Sequence, residues 1–247
     1  VARRATSISQ EREKGGALLV LDAGNSLVGD QDPALSTQGQ SSVVAMNMMG
    51  YDAMTLGQKD LALGLDVLRQ RIAEAEFAVL SANAVVSPTG EWVATPYVLR
   101  QVGDHQVAII GLSGGRGTSE IAVLDPLEAV QTLVPRVAPQ ADAIILLSHA
   151  GALTDQQIAE TVPGIGLIVS GGQLELSTPW RSEKTGTLIV HADQASKGHA
   201  GRVLGMARLT FDADGRLVQH QWQGQNLSTE IADDPGMTNW VQQQTIQ

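Results

Sequence analysis

Cysteine is absent from the 247 residues, which excludes disulfides, thiolate metal sites, iron–sulfur clusters and haem attached through Cys-x-x-Cys-His. That absence leaves the compartment open and sits well with an exported protein. Aromatic side chains make up only 3% of the chain against 43% hydrophobic residues, so the core has to be built from Val, Ile, Leu, Ala and Met packed between layers. No run of Lys and Arg interleaved with aromatics occurs, and the formal net charge is -10. The field of the molecule therefore repels phosphate backbones and anionic lipids, which argues against nucleic acid and membrane-surface partners. Long apolar runs are missing too: the longest, such as Ala143 to Leu147, have the length of a strand, far short of a bilayer span, so direct membrane insertion is not expected. The first residue is Val1 rather than Met, as in a processed chain or the ordered part of something longer, with any export signal already removed.

What is present is strand–helix alternation on a scale that suits one large α/β domain. Short β-branched apolar runs bounded by Gly, Asp or Ser recur at Ala17 to Leu21, Ala53 to Leu56, Ala78 to Leu80, Val107 to Leu112, Ala143 to Leu147, Leu167 to Val169 and Thr187 to Val190, and each reads as a buried strand. Between them, Gly39 to Met49, Leu61 to Ala75, Pro126 to Val137 and Thr154 to Thr161 carry apolar residues at helical spacing. Two regions break the alternation. Tyr97 to Leu112, turning at Gly103-Asp104, and Val203 to Trp222, turning at Asp212-Ala-Asp-Gly215, read as hairpins. Crossovers mixed with hairpins predict two mixed sheets packed face to face with helices outside. The domain is expected to occupy residues 1–224, followed by a polar linker and the start of a linker helix over 225–247, with Asp233-Asp234-Pro235 ahead of Met237 to Gln244 as the helix start.

Ligands of layered α/β proteins bind at the carboxyl ends of strands, which directs attention to Asp22-Ala-Gly-Asn-Ser26, Gly57-Gln-Lys-Asp60, Ser81-Ala-Asn83, Ser148-His-Ala-Gly151 and Gly171-Gly-Gln-Leu-Glu175. Together with Val1-Ala-Arg-Arg-Ala5, Leu19 to Gly24, Ala45-Met-Asn47, Gly50-Tyr-Asp-Ala53, Thr55-Leu-Gly57, Ile109-Ile-Gly-Leu112, Leu146-Leu-Ser-His149 and Val162-Pro-Gly164, these stand in an order and spacing that resembles the 5′-nucleotidase branch of calcineurin-like metallophosphoesterases. The resemblance runs from Val1 to the helix near Trp240. It implies a four-layer α/β/β/α sandwich of two mixed β-sheets, export to the periplasm or cell surface, and phosphoester hydrolysis by two divalent metals.

Such chemistry requires two metals held by carboxylates and imidazoles so that a bridging hydroxide forms at neutral pH. The family uses an Asp-x-His on its first strand, a Gly-Asp that bridges the metals, the Asn of Gly-Asn-His-Asp, a later His and a Gly-His-x-His. Here the chain begins beyond the place of Asp-x-His, and Asn25 occupies the place of the bridging Asp. Gln58 and Lys59 replace Asn and His; an ammonium there repels a dication. Asp60 is retained, although in the family it partners the missing histidine rather than the metal. Asn83 is retained within Ser81-Ala-Asn83. Gln173 and Glu175 replace both histidines of Gly-His-x-His. His149 remains, with Glu175 as a substitute oxygen ligand, and these two are the weak candidates for holding a metal. One imidazole and scattered amides do not hold two hard cations.

Plainer roles compete for the same residues. A lone histidine after an apolar strand, as His149 is, serves more often as a hydrogen-bonded structural residue. Lys59 and Asp60 are expected to pair across the vacated site, because an adjacent carboxylate favours a charged lysine over a catalytic one. Gly111 to Gly117 lacks the Gly-Lys-Ser/Thr ending of a phosphate-cradling loop and reads as a flexible connection. His191 and His199 lie eight apart, a spacing of no known metal pair, and Asp22 reads as a turn residue. Ser148 and His149 point to opposite faces of a strand and make a poor nucleophile and base. The expectation is a domain with the family's fold and without its chemistry, needing no cofactor and acting as a structural or binding subunit with a protein partner in an exported assembly. The alternative is an active nucleotide phosphoester hydrolase that binds Mn or Zn through ligands outside this chain.

Overall fold

A computed structural model describes residues 1–29, 32–172, 179–192, 201–212 and 216–245. Among them the strands are β1 (Leu21–Asp22), β2 (Ala53–Thr55), β3 (Ala78–Leu80), β4 (Ala84–Val86), β5 (Tyr97–Val102), β6 (His105–Leu112), β7 (Ile121–Val123), β8 (Ala143–Ser148), β9 (Leu167–Ser170), β10 (Trp180–Arg181), β11 (Leu188–Val190), β12 (Val203–Phe211) and β13 (Leu217–Asn226). The helices are α1 (Ala2–Glu13), α2 (Gln40–Met49), α3 (Gln58–Leu61), α4 (Leu65–Glu74), α5 (Pro126–Val137), α6 (Ala152–Thr161) and α7 (Pro235–Thr245).

Side-chain alternation along the strands decides the layering. In β6 and β8, Ile109, Ile145 and Leu147 enter the core between the sheets, while their neighbours Ile110, Ile144 and Leu146 face a second core under α5 and α6. In β2 and β3, Ala53 and Leu80 look toward the inter-sheet core, whereas Met54 and Val79 face α1, α2 and α4. A strand with both faces buried has this continuous apolar composition because each face feeds a different core. Three cores stacked in this way make the four-layer α/β/β/α sandwich. The cost of truncating one such side chain, for example Leu146→Ala, is on the order of 2–5 kcal/mol.

Hydrogen bonding runs β1-β2-β3 in a parallel sheet and β10-β11-β9-β8-β6-β5 in a mixed one, with β12-β13 and β4-β7 as separate antiparallel ladders. The hairpin at Gly103-Asp104 is present with Tyr97 opposite Ile110. In the second hairpin Val203 pairs with Asn226, and its turn residues 213–215 lie outside the described set. Helix α5 starts as its sequence demands: the Asp125 side chain accepts from the Glu128 N–H at 2.9 Å, Pro126 follows, and Val130, Leu133, Val134 and Val137 form the buried stripe.

Three elements differ from expectation. Leu61 to Ala75 is not one helix, because Gly64 takes φ of 82° and separates α3 from α4, a conformation that ends a helix at little cost for glycine alone. Ala17 to Leu21 pairs as a strand only from Leu21 onward. Helix α1 carries a weak apolar stripe in which Ile8 is buried and Ala2 and Ala5 are half-buried against the same core. Helix α7 returns to this core by burying Met237 and packing Trp240 against it. No helix among the described residues is long and apolar enough to cross a membrane.

Candidate functional site

The loops after β1, β2, β8, β9 and β11 gather at one end of the two sheets and border a cavity of about 1260 Å³. Asp22, Asn25, Lys59, His149 and His191 furnish its polar end, while Leu21, Ile145, Leu167 and Trp222 line the apolar remainder between the sheets. Parallel strands that end in register deliver their following residues to one place, which is why the residues singled out in those loops converge.

Asp60 is fully buried, and its carboxylate accepts from three main-chain N–H groups: Asn25 at 2.7 Å, Gly57 at 2.8 Å and Leu27 at 3.0 Å. Burial pushes its pKa up to about 6, with the three N–H donors pulling partly back. It staples the loop after β1 to the start of α3. Asn25, in the left-handed region at φ 63°, accepts from the Lys59 N–H through Oδ1 at 2.8 Å. The oxygen in the place of a bridging ligand is thereby committed to the main chain. The ion pair expected between Lys59 and Asp60 is not formed among the described contacts, since Lys59 and Gln58 are exposed while the carboxylate turns inward.

Asn83 is also fully buried. Its Nδ2 donates to the Ser113 carbonyl at 2.9 Å and the Leu124 carbonyl at 3.1 Å, and its Oδ1 accepts from the Ser113 N–H at 2.8 Å. A fully engaged amide is a clamp between loops. The same bonds explain the glycine-rich segment 111–117. Ser113 is buried on Asn83 and Ser81, and a Cβ at Gly114 would strike the His149 carbonyl, so the first half of the segment is packed in place, while Gly115, Arg116 and Gly117 are exposed.

Asp22 accepts from the Gly24 N–H at 2.9 Å and the Ser26 hydroxyl at 2.8 Å, the bonds of a turn residue. Burial raises its pKa, opposed by those bonds and by the charges of Arg4 and His149. His149 sits half-buried with Nδ1 at 2.7 Å from the Ala23 carbonyl; burial lowers its pKa and the carbonyl and Asp22 oppose. Ser148 is turned away from it and donates to Asp155, which also accepts from Ser170. Asp155 is buried and pushed up to about 6 by that burial. The sequence offers no trace of this Ser–Asp–Ser clamp beyond a lone acid in an amphipathic helix. Gln173, Glu175 and His199 lie outside the described residues.

These positions test the two-metal expectation directly. The Asn25 oxygen and both Asp60 oxygens accept from main-chain amides and Asn83 is engaged on all sides, while His149 keeps a ring nitrogen and the exposed Gln58 keeps its side-chain amide for a ligand. Among the described residues no group of three or more His, Asp or Glu could hold a metal ion. The described residues do not by themselves furnish a binuclear centre.

No family model matches the chain. Among curated proteins it is 30% identical over 277 residues to the snake venom 5′-nucleotidase of Gloydius brevicauda, covering 100% of this chain and 46% of that protein. Among solved structures it superposes on the 5′-nucleotidase precursor from Thermus thermophilus with a TM-score of 0.84 and 27% identity, over 99% of this chain and 52% of the other. The calcineurin-like phosphoesterase YfkN from Bacillus subtilis shares the fold, with a TM-score of 0.81 at 23% identity over 99% and 88% of the respective chains. The chain thus spans about half the length of the curated relative it matches.

Proposed function

Because the chain belongs to the 5′-nucleotidase family of calcineurin-like phosphoesterases, we propose that it has retained the family's scaffold without the binuclear centre and works as a structural or binding subunit of an exported assembly. The observation that carries this is Asn25, an amide in the place of the bridging carboxylate, whose Oδ1 accepts from the Lys59 main-chain N–H. A neutral amide oxygen already bonded to the main chain is a poor bridge between two ions, and two dications left with one imidazole are not neutralised. Export is supported by the name of the Gloydius relative, a protein of venom. The net charge of -10 supports a protein partner over nucleic acid or an anionic membrane.

One observation favours the rival, an active nucleotide phosphoester hydrolase drawing Mn or Zn ligands from elsewhere: the chain covers only 46% of its venom relative. Assay of AMP and p-nitrophenyl phosphate with added Mn²⁺ or Zn²⁺ separates the two. The silent domain gives no hydrolysis above the metal-only blank. Turnover that disappears in His149→Ala establishes the hydrolase and ends this proposal.

A further inference from the structure

In the sequence His191 carries no signal, because its spacing from His199 matches no ligand pair. The structure gives it a different neighbour. Its Nδ1 lies 2.6 Å from the Ser170 carbonyl oxygen. A carbonyl only accepts, so Nδ1 carries the proton, and in the neutral ring Nε2 then presents a lone pair. That Nε2 is buried and has no hydrogen-bond partner among the described residues, an arrangement that leaves a desolvated acceptor unsatisfied among them. His149 repeats the pattern, with Nδ1 held by the Ala23 carbonyl and Nε2 left as the acceptor. Both rings border the same cavity.

Strand order brings the two together. β8 and β11 flank β9, with Ser148 opposite Ser170 and Val190 opposite Val169. His149 and His191 therefore leave the sheet on either side of one strand end, roughly 10 Å apart along the hydrogen-bonding direction. Two fixed neutral imidazoles with open Nε2 atoms are donors for borderline transition metals, with nitrogen–metal bonds of about 2.0–2.1 Å for zinc. Carbonyl bonds to Nδ1 are the usual device for fixing a ligating tautomer.

We propose that His149 and His191 form a two-imidazole site for a single divalent transition ion of the Zn²⁺, Co²⁺ or Ni²⁺ class, with water completing its coordination. His191 stands at none of the family's ligand positions, so the site shares the retained His149 with them without reproducing the family's binuclear centre, and it does not depend on the silent-domain proposal.

Chelator-dialysed full chain is titrated with Co²⁺ and followed by visible absorption, then back-titrated with Zn²⁺. One cobalt per chain is expected, displaced by zinc, with binding weakening as pH falls through the imidazole range. His149→Ala and His191→Ala each weaken it by about tenfold or more, whereas His220→Ala on β13 leaves it unchanged. Long-range ¹H–¹⁵N NMR of the unaltered protein provides a readout that needs no variant: Zn²⁺ shifts the Nε2 resonances of His149 and His191 together. Absence of both shifts, or cobalt binding indifferent to His191→Ala, overturns the site. Two ions per chain with phosphoester turnover refutes the silent domain instead, so the two failures are told apart.

Discussion

On the first-sheet side of the cavity, the Asn25 oxygen and both oxygens of Asp60 are directed to main-chain amides. On the second-sheet side, His149 and His191 each commit one ring nitrogen to a carbonyl and keep the other open. A polar group bonded to the backbone of a neighbouring loop holds loops in place. A group with an open lone pair facing a cavity can engage a ligand. The family's fold survives on the first kind of residue, and any remaining chemistry depends on the second.

The sharpest way to break this contrast is Asp60→Ala. Three buried N–H groups lose a charged acceptor, and urea unfolding should show a loss on the order of 3–5 kcal/mol; a loss below about 1 kcal/mol would mean the carboxylate is not a staple. Asn83→Ala comes next, with an expected loss of about 2–3 kcal/mol from the unclamped Ser113 and Leu124 loops. It should unfold with the same denaturant slope as the parent if only contacts are lost.

Asp155 sharpens the comparison through pH. Its folded pKa of about 6 lies above the ordinary carboxyl value of 3.8, so between those limits the folded state holds more protons than the unfolded one. Stability then falls as pH rises from about 4 to about 6. The stability of the parent relative to Asp155→Asn should shrink by on the order of 2–3 kcal/mol across that window; a flat difference would contradict the buried clamp. His149, with its lowered pKa, contributes with the opposite sign as pH falls through the range below its ordinary 6.5, and it cancels in this difference. The smallest effect belongs to Lys59→Ala. Its N–H keeps the bond to Asn25 whatever the side chain, and the exposed ammonium should alter stability by no more than about 0.5 kcal/mol.

Most of the layering was legible in the sequence because buried strands announce themselves as apolar runs, and Pro126 to Val137 emerged with the bounds its pattern predicted. Helix α1 was not legible as a helix: Ala2, Ala5 and Ile8 form a stripe too weak to stand out among polar neighbours. The break at Gly64 needed a backbone angle that no apolar spacing encodes. In the site, the replacements that the family resemblance implies were read from residue types, but the staple at Asp60 could not be, since its partners are main-chain amides that leave no mark on side-chain identity. The approach of His191 to His149 was not legible because spacing along the chain says nothing of position across β9.

Anomalous diffraction at the manganese and zinc edges, from crystals soaked in each metal, tests the central claim most directly. The account predicts no pair of peaks between the loops after β1, β2 and β8, and at most a single peak between His149 and His191. Two fully occupied peaks sharing a ligand in that space would contradict it.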